Sequence, residues 1–116
     1  MDIHALMDLA FEKGASDLHL KVGSYPMMRV RGSLVPATEE KRLEHDDIVA
    51  MSAGIMSPTQ RQKFKEAQEV DLAYSVPGLG RFRCNIFHQR GTVGMVLRVI
   101  PMQIRSIDEL GLPTIL

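Results

Sequence analysis

Between Gly80 and Pro101 the chain alternates apolar and polar residues in two runs joined by Gln89-Arg90-Gly91-Thr92. That pattern restricts it to a hairpin with one buried and one open face. Phe82, Cys84 and Ile86 share one side of the first run, and Arg81, Arg83 and Asn85 share the other. In the second run Val93, Met95, Leu97 and Val99 alternate with Gly94, Val96, Arg98 and Ile100. If the four joining residues make a short loop, His88 pairs with Val93 and the register is set. Phe82 then lies across from Val99, Cys84 from Leu97 and Ile86 from Met95, an unbroken apolar face. The same register sets Arg83 directly across from Arg98 on the opposite face.

Like charges facing each other on a sheet cost from a few tenths to about 1 kcal/mol. Neither run contains Asp or Glu to offset them. Two guanidinium groups side by side suit a doubly charged oxyanion such as phosphate, which each can grip through paired N–H donors. The bland alternative leaves the arginines in water, or paired with Asp71, Glu66 or Glu69 of the preceding segment. Both readings stand at this point.

A chain of 116 residues is long enough to bury one core and too short for two domains. The 14 basic and 14 acidic residues cancel, so bulk charge gives no argument for nucleic acid. The arginines matter by position, not by number. The single Cys84 falls on the apolar face and has no partner for an internal disulfide, as for a small buried thiol. No apolar run is long enough to cross a bilayer, and Met1-Asp2-Ile3-His4 does not open a secretion signal. The expectation is a soluble, intracellular protein.

Residues 2–13 read as a helix capped by Asp2 and ended by Gly14, with Ile3, Leu6, Met7 and Ala10 on one face. A strand follows from Asp17 to Val22, its wet face carrying Asp17, His19 and Lys21. Met27 to Arg31 forms the next, turned at Gly32-Ser33 onto Leu34-Val35. A second helix is expected to be capped by Asp46 or Asp47, with Ile48, Met51 and Ile55 inward. Ser57-Pro58-Thr59-Gln60 is a capping box opening a third helix that runs to about Gln68. Leu72, Tyr74 and Val76 alternate in a strand, and Pro77-Gly78-Leu79-Gly80 turns it into the arginine hairpin. Helix, three strands, two helices and three strands predict an α+β domain around an antiparallel sheet of about six strands.

Catalytic chemistry is not apparent in these residues. His4, His19, His45 and His88 fall on four elements without metal-ligand spacing, so no metal site is expected. His19 reads as a solvated residue on a wet strand face, and His88 as one at a loop edge. Gly78-Leu79-Gly80 and Gly91-Thr92-Val93-Gly94 are hairpin glycines, not a phosphate loop, since neither leads to Lys and a helix. Cys84 has no histidine on a matched face to activate it. The domain should bind and position, with no catalytic residue of its own. Beyond it, Ile107, Leu110, Leu112, Ile115 and Leu116 are apolar residues that need a covering surface.

Several segments in order carry a resemblance. They are Gly14-Ala15-Ser16-Asp17-Leu18-His19-Leu20, Pro26-Met27-Met28-Arg29-Val30-Arg31-Gly32-Ser33-Leu34, Asp71 to Val76, Gly80 to Gly91, Val96 to Pro101, and Leu110-Gly111-Leu112-Pro113. Together they resemble the opening of the secretion ATPases, specifically the PilT-type retraction ATPases of type IV pili. The resemblance implies a PAS-like N-terminal domain over residues 1–101. Residues 102–116, with Leu110, Gly111, Leu112 and Pro113, would begin the linker to a RecA-like ATPase domain. It further implies a cytoplasmic homohexamer, peripheral to the inner membrane at the pilus base and powering twitching motility. ATP and Mg2+ would be its cofactors, neither held tightly by these residues alone. The ATPase domains of the same and neighbouring subunits and the pilus-base machinery would be its partners, with no nucleic acid and no membrane-spanning segment. Its phosphate-sensing arginines map by motif onto Arg83 and Arg98, with Arg81 a weaker third. The same domain of a pilus extension or type II secretion ATPase is the nearest alternative. A free-standing PAS-like sensor or docking module is the more distant one.

Overall fold

The computed structural model describes residues 2–101, and the expected linker residues Leu110, Gly111, Leu112 and Pro113 lie outside them. Helix α1 spans Ile3–Lys13. The Asp2 carboxylate accepts the His4 backbone N–H, and Gly14 closes the helix in the left-handed conformation at φ 68°. Strands β1 (Asp17–Leu20), β2 (Met27–Val30) and β3 (Ser33–Pro36) follow, then α2 (His45–Ile55) and α3 (Pro58–Ala67). The last three elements are β4 (Glu69–Val76), β5 (Gly80–Gln89) and β6 (Thr92–Pro101). The α+β order read from the sequence is the order found.

All six strands join one antiparallel sheet in the order β3-β2-β1-β6-β5-β4. Strand β1, far from β6 in sequence, lies against it and brings the two halves of the chain into a single sheet. All three helices contribute to one core with the inner face: Leu6 and Met7 of α1, Ile48 and Met51 of α2, and Phe64 of α3 join Leu18, Leu20, Phe82, Cys84, Ile86, Met95 and Leu97. The opposite face carries no helix among the described residues. Cys84 is fully buried in that core, and burial pushes its thiol up to about 12, so it packs as an inert apolar group.

The β5–β6 register is the expected one, with His88 across from Val93, Phe82 from Val99 and Arg83 from Arg98. The loop is tighter than expected. Gln89 still pairs with Thr92, and Arg90 (φ 54°) and Gly91 (φ 80°) alone make the turn, both left-handed as a type I′ connection requires. The β2–β3 hairpin repeats this with Arg31 (φ 53°) and Gly32 (φ 82°). Its turn is therefore Arg31-Gly32, one residue earlier than the expected Gly32-Ser33, and Ser33 already pairs with Val30. Arg31, expected as the last residue of the strand, instead takes the left-handed conformation, which arginine rarely adopts.

Two other local expectations are corrected. Strand β1 ends at Leu20 and does not reach Val22. Helix α2 begins two residues earlier than an Asp46 cap would allow and three earlier than an Asp47 cap. Glu44 is the N-cap residue, and Asp47 lies within the first turn, its carboxylate accepting the Glu44 N–H at 2.8 Å. Helix α3 has the expected reciprocal box: Ser57 Oγ accepts from Gln60 N–H and Gln60 Oε1 from Ser57 N–H. Among the described residues no helix is long and apolar enough to cross a membrane.

Candidate functional site

Strand pairing arranges the open face in rows. One row runs across β2, β1, β6 and β5 as Arg29, Asp17, Arg98 and Arg83, each directly opposite the next, and ends on β4 at Ala73. The adjacent row reads Met27, His19, Val96, Asn85 and Asp71. On the other side Ile100, Arg81 and Ser75 form a third. Three guanidinium groups and one carboxylate thus occupy a single line, and Arg81 stands beside it.

The four charged residues of that line are not equivalent. Asp17 is buried, contrary to its expected place in solvent, because an arginine stands on each strand beside it. Its Oδ1 accepts from Arg98 Nε at 3.2 Å, and its Oδ2 lies 3.0 Å from Ser16 Oγ and 3.7 Å from Arg29 Nε. Burial alone would raise its pKa. The Ser16 hydroxyl and the Arg98 guanidinium outweigh burial and hold it below the usual 3.8. Arg29 also donates to the Gly32 carbonyl at 3.1 Å and is tied down at both ends of its guanidinium. Arg83 is exposed and makes no hydrogen bond or ion pair among the described residues. Small Ala73 beside it leaves space.

Among the described residues Asp71, Glu66 and Glu69 form no ion pair with the hairpin arginines and make other hydrogen bonds. Asn85 Nδ2 donates at 3.0 Å both to Glu69 Oε2 and to Asp71 Oδ1, holding the two carboxylates together on β4. Glu66 accepts from Gln62 one turn away on α3. The acid that meets an arginine of the hairpin is therefore Asp17, paired with Arg98. It was missed because a strand far away in sequence supplies it. Arg83 borders two shallow clefts: one shared with Asp71, Asn85, Val96 and Arg98, the other with Arg81, Asp71, Ala73 and Ile100. Arg98 and Arg81 thus each adjoin Arg83 from different sides. His88 is exposed one pair from the β5–β6 turn, as expected of a loop-edge residue, while the solvated reading of His19 changes. His88 stacks on Phe64 at 4.8 Å, and His19 carries a buried Nε2 without a hydrogen-bond partner.

Because the folded Asp17 pKa is depressed, its stabilising contribution is complete above the ordinary carboxylate range. It is lost as pH falls through the folded pKa. Acid unfolding should therefore begin at lower pH in Asp17→Asn than in the wild-type chain once each is normalised to its own neutral stability, because the variant has no Asp17 carboxylate whose contribution acid removes. Superimposable normalised acid curves followed by circular dichroism would contradict this.

The comparisons with known proteins converge. The type IV pilus retraction ATPase PilT of Pseudomonas aeruginosa is 42% identical over 112 residues, which are 97% of this chain and 32% of that protein. The type IV pilus ATPase PilU of the same organism is 41% identical over 116 residues, 100% of this chain and 30% of the relative. A crystal structure of the pilus retraction motor PilT with bound ADP superposes with a TM-score of 0.82 at 38% identity, covering 98% of this chain and 33% of the other. No family model matches the chain. The chain spans about a third of the length of the relatives it matches.

Proposed function

Because the chain is homologous to the PilT and PilU type IV pilus ATPases over nearly its whole length, and its fold matches the PilT N-terminal domain, we propose that it is the nucleotide-sensing domain of a hexameric pilus retraction motor. In this reading residues 1–101 form the domain and residues 102–116 lead toward a RecA-like ATPase core. Arg83 and Arg98, with Arg81 beside them, reach the phosphates of ATP held with Mg2+ by a neighbouring subunit's core. The motor works at the cytoplasmic side of the pilus base, its partners being the other subunits and the inner-membrane machinery, and it drives twitching motility.

The observation that carries this reading is Arg83. It faces Arg98 across the hairpin, is exposed, and has no partner among the described residues. A protein conserving sheet stability alone would gain from an acid at either position. The residues that hold nucleotide and Mg2+ would come from the ATPase core. The 116 residues include no Gly-x-x-x-x-Gly-Lys-Ser/Thr loop, and arginines alone can steady developing charge without holding the metal-bound nucleotide.

The test compares the chain alone with the chain joined to its ATPase core. Alone, it should be a monomer or weak dimer by light scattering and show no ATP hydrolysis above background. Joined, it should form hexamers that hydrolyse ATP. A stable, concentration-independent hexamer of the chain alone would overturn the reading, as would Mg2+-dependent turnover that disappears with Arg83→Ala.

A further inference from the structure

Among the described residues Arg98 is held at one nitrogen. Its Nε–H donates to Asp17, its side chain is 72% exposed, and its two terminal amino groups make no hydrogen bond or ion pair among the described residues. Asp17 is its opposite, with a side chain only 12% exposed and each carboxylate oxygen engaged. The backbone beneath it is anchored on both sides. Ser16 N–H donates to the Arg29 carbonyl at 2.9 Å, and the Ser16 carbonyl accepts from Val99 N–H at 2.9 Å. Arg29, the third charged group of the cluster, is itself fixed to the Gly32 carbonyl. A buried carboxylate thus rises from the middle of the sheet as a rigid post.

A guanidinium is planar, and its donors lie along fixed edges. When Nε is engaged, the edge made by the two terminal nitrogens is free to take two oxygens of one phosphoryl group. Arg83 stands directly across and makes no hydrogen bond or ion pair among the described residues. The line holds three arginines and one aspartate, for a net charge of +2 that complements a phosphate dianion. Without the aspartate three adjacent cations would repel, and the flexible Arg98 would swing off the sheet. We infer that Asp17 is a positioning residue for the phosphate site, holding Arg98 by Nε so that its terminal N–H edge stays beside Arg83. This rests on the phosphate reading of Arg83 and Arg98 given above.

The inference is tested in the full-length motor with wild type, Asp17→Asn, Arg98→Ala and the double variant, each measured for kcat and for KM of ATP. Misplacing a group that acts on developing charge costs roughly 10- to 100-fold in rate. Asp17→Asn should therefore lower kcat by that factor. Its KM should be unchanged or lower, because removing a carboxylate makes the surface more attractive to phosphate. In the Arg98→Ala background Asp17→Asn should cost nothing further, since there is no guanidinium left to position. A loss from simple destabilisation would appear equally in both backgrounds and would overturn the inference. So would unchanged kcat in Asp17→Asn when Arg98→Ala is impaired. Unchanged turnover in Arg98→Ala would reject the phosphate role itself. A second readout uses the 116-residue chain: the Arg98 Nε–H proton, assigned by its absence in Arg98→Lys, should exchange slowly in wild type and rapidly in Asp17→Asn. Equal exchange in both overturns the positioning role whatever the kinetics.

Discussion

Arg83→Ala is expected to lower ATP hydrolysis by the full-length motor on the order of 10³-fold, the effect of an arginine acting fully on a phosphoryl-transfer site. Its thermal midpoint should remain that of wild type. The side chain is exposed and without hydrogen bonds among the described residues, so its removal leaves no buried group unpaired. It also relieves the repulsion across the hairpin from Arg98. Arg83→Lys should rescue poorly, because an ammonium keeps the charge and loses the planar pair of donors.

Arg98→Ala should lose turnover as well, with a different stability signature. It takes the Nε donor away from buried Asp17 and leaves that carboxylate to Ser16 and the more distant Arg29. A hydrogen bond between charged groups, discounted for the exposure of Arg98, contributes about 1 kcal/mol. For a domain of this size that lowers the melting temperature by about 4 °C. Turnover assays and melts of the two variants therefore separate the residues. Were activity to fall only in proportion to lost stability, both arginines would be structural and the phosphate role would be wrong.

The largest expected effect on folding comes from the residue between Arg81 and Arg83. Phe82→Ala should destabilise the domain by about 3–5 kcal/mol, a large share of the roughly 5–15 kcal/mol that holds a domain folded. Phe82 is fully buried, lies between Tyr74 and Val99 across the strands, and meets the Phe11 ring edge-on at 5.1 Å and 66°. Removing its ring opens a cavity where α1 meets the sheet, and fixed strand pairing on both sides limits how far the site can collapse. The measurement is urea unfolding, with the midpoint moved down and the slope unchanged. A loss below about 1 kcal/mol would mean that α1 does not pack there. Residues 81–83 thus divide by side of the strand: the Phe82 ring inward to the core, the Arg81 and Arg83 guanidinium groups outward.

How much of this was legible in the sequence depended on the distance in sequence between the groups concerned. The pairing of Arg83 with Arg98 could be read directly. A two-fold side-chain period and one short turn leave a single register that buries Phe82, Cys84 and Ile86 together. The capping box at Ser57 and the left-handed stop at Gly14 were equally readable, since each is satisfied within a few residues. The position of the β2–β3 turn was not, because Arg31 accepts a left-handed backbone that arginine seldom adopts on its own.

The state of Arg98 was beyond any local pattern. The run Asp17-Leu18-His19-Leu20 alternates in a way that assigns Asp17 to solvent, and the alternation is right about its face. What buries it is the placement of β1 between β2 and β6, which sets Arg29 on one side and Arg98, 81 residues away, on the other. Strand order is a long-range property of the sheet that no local pattern records. The periodicity of the chain placed the arginines on one face of the sheet. Only the assembled sheet brought the aspartate that distinguishes a tethered arginine from a free one.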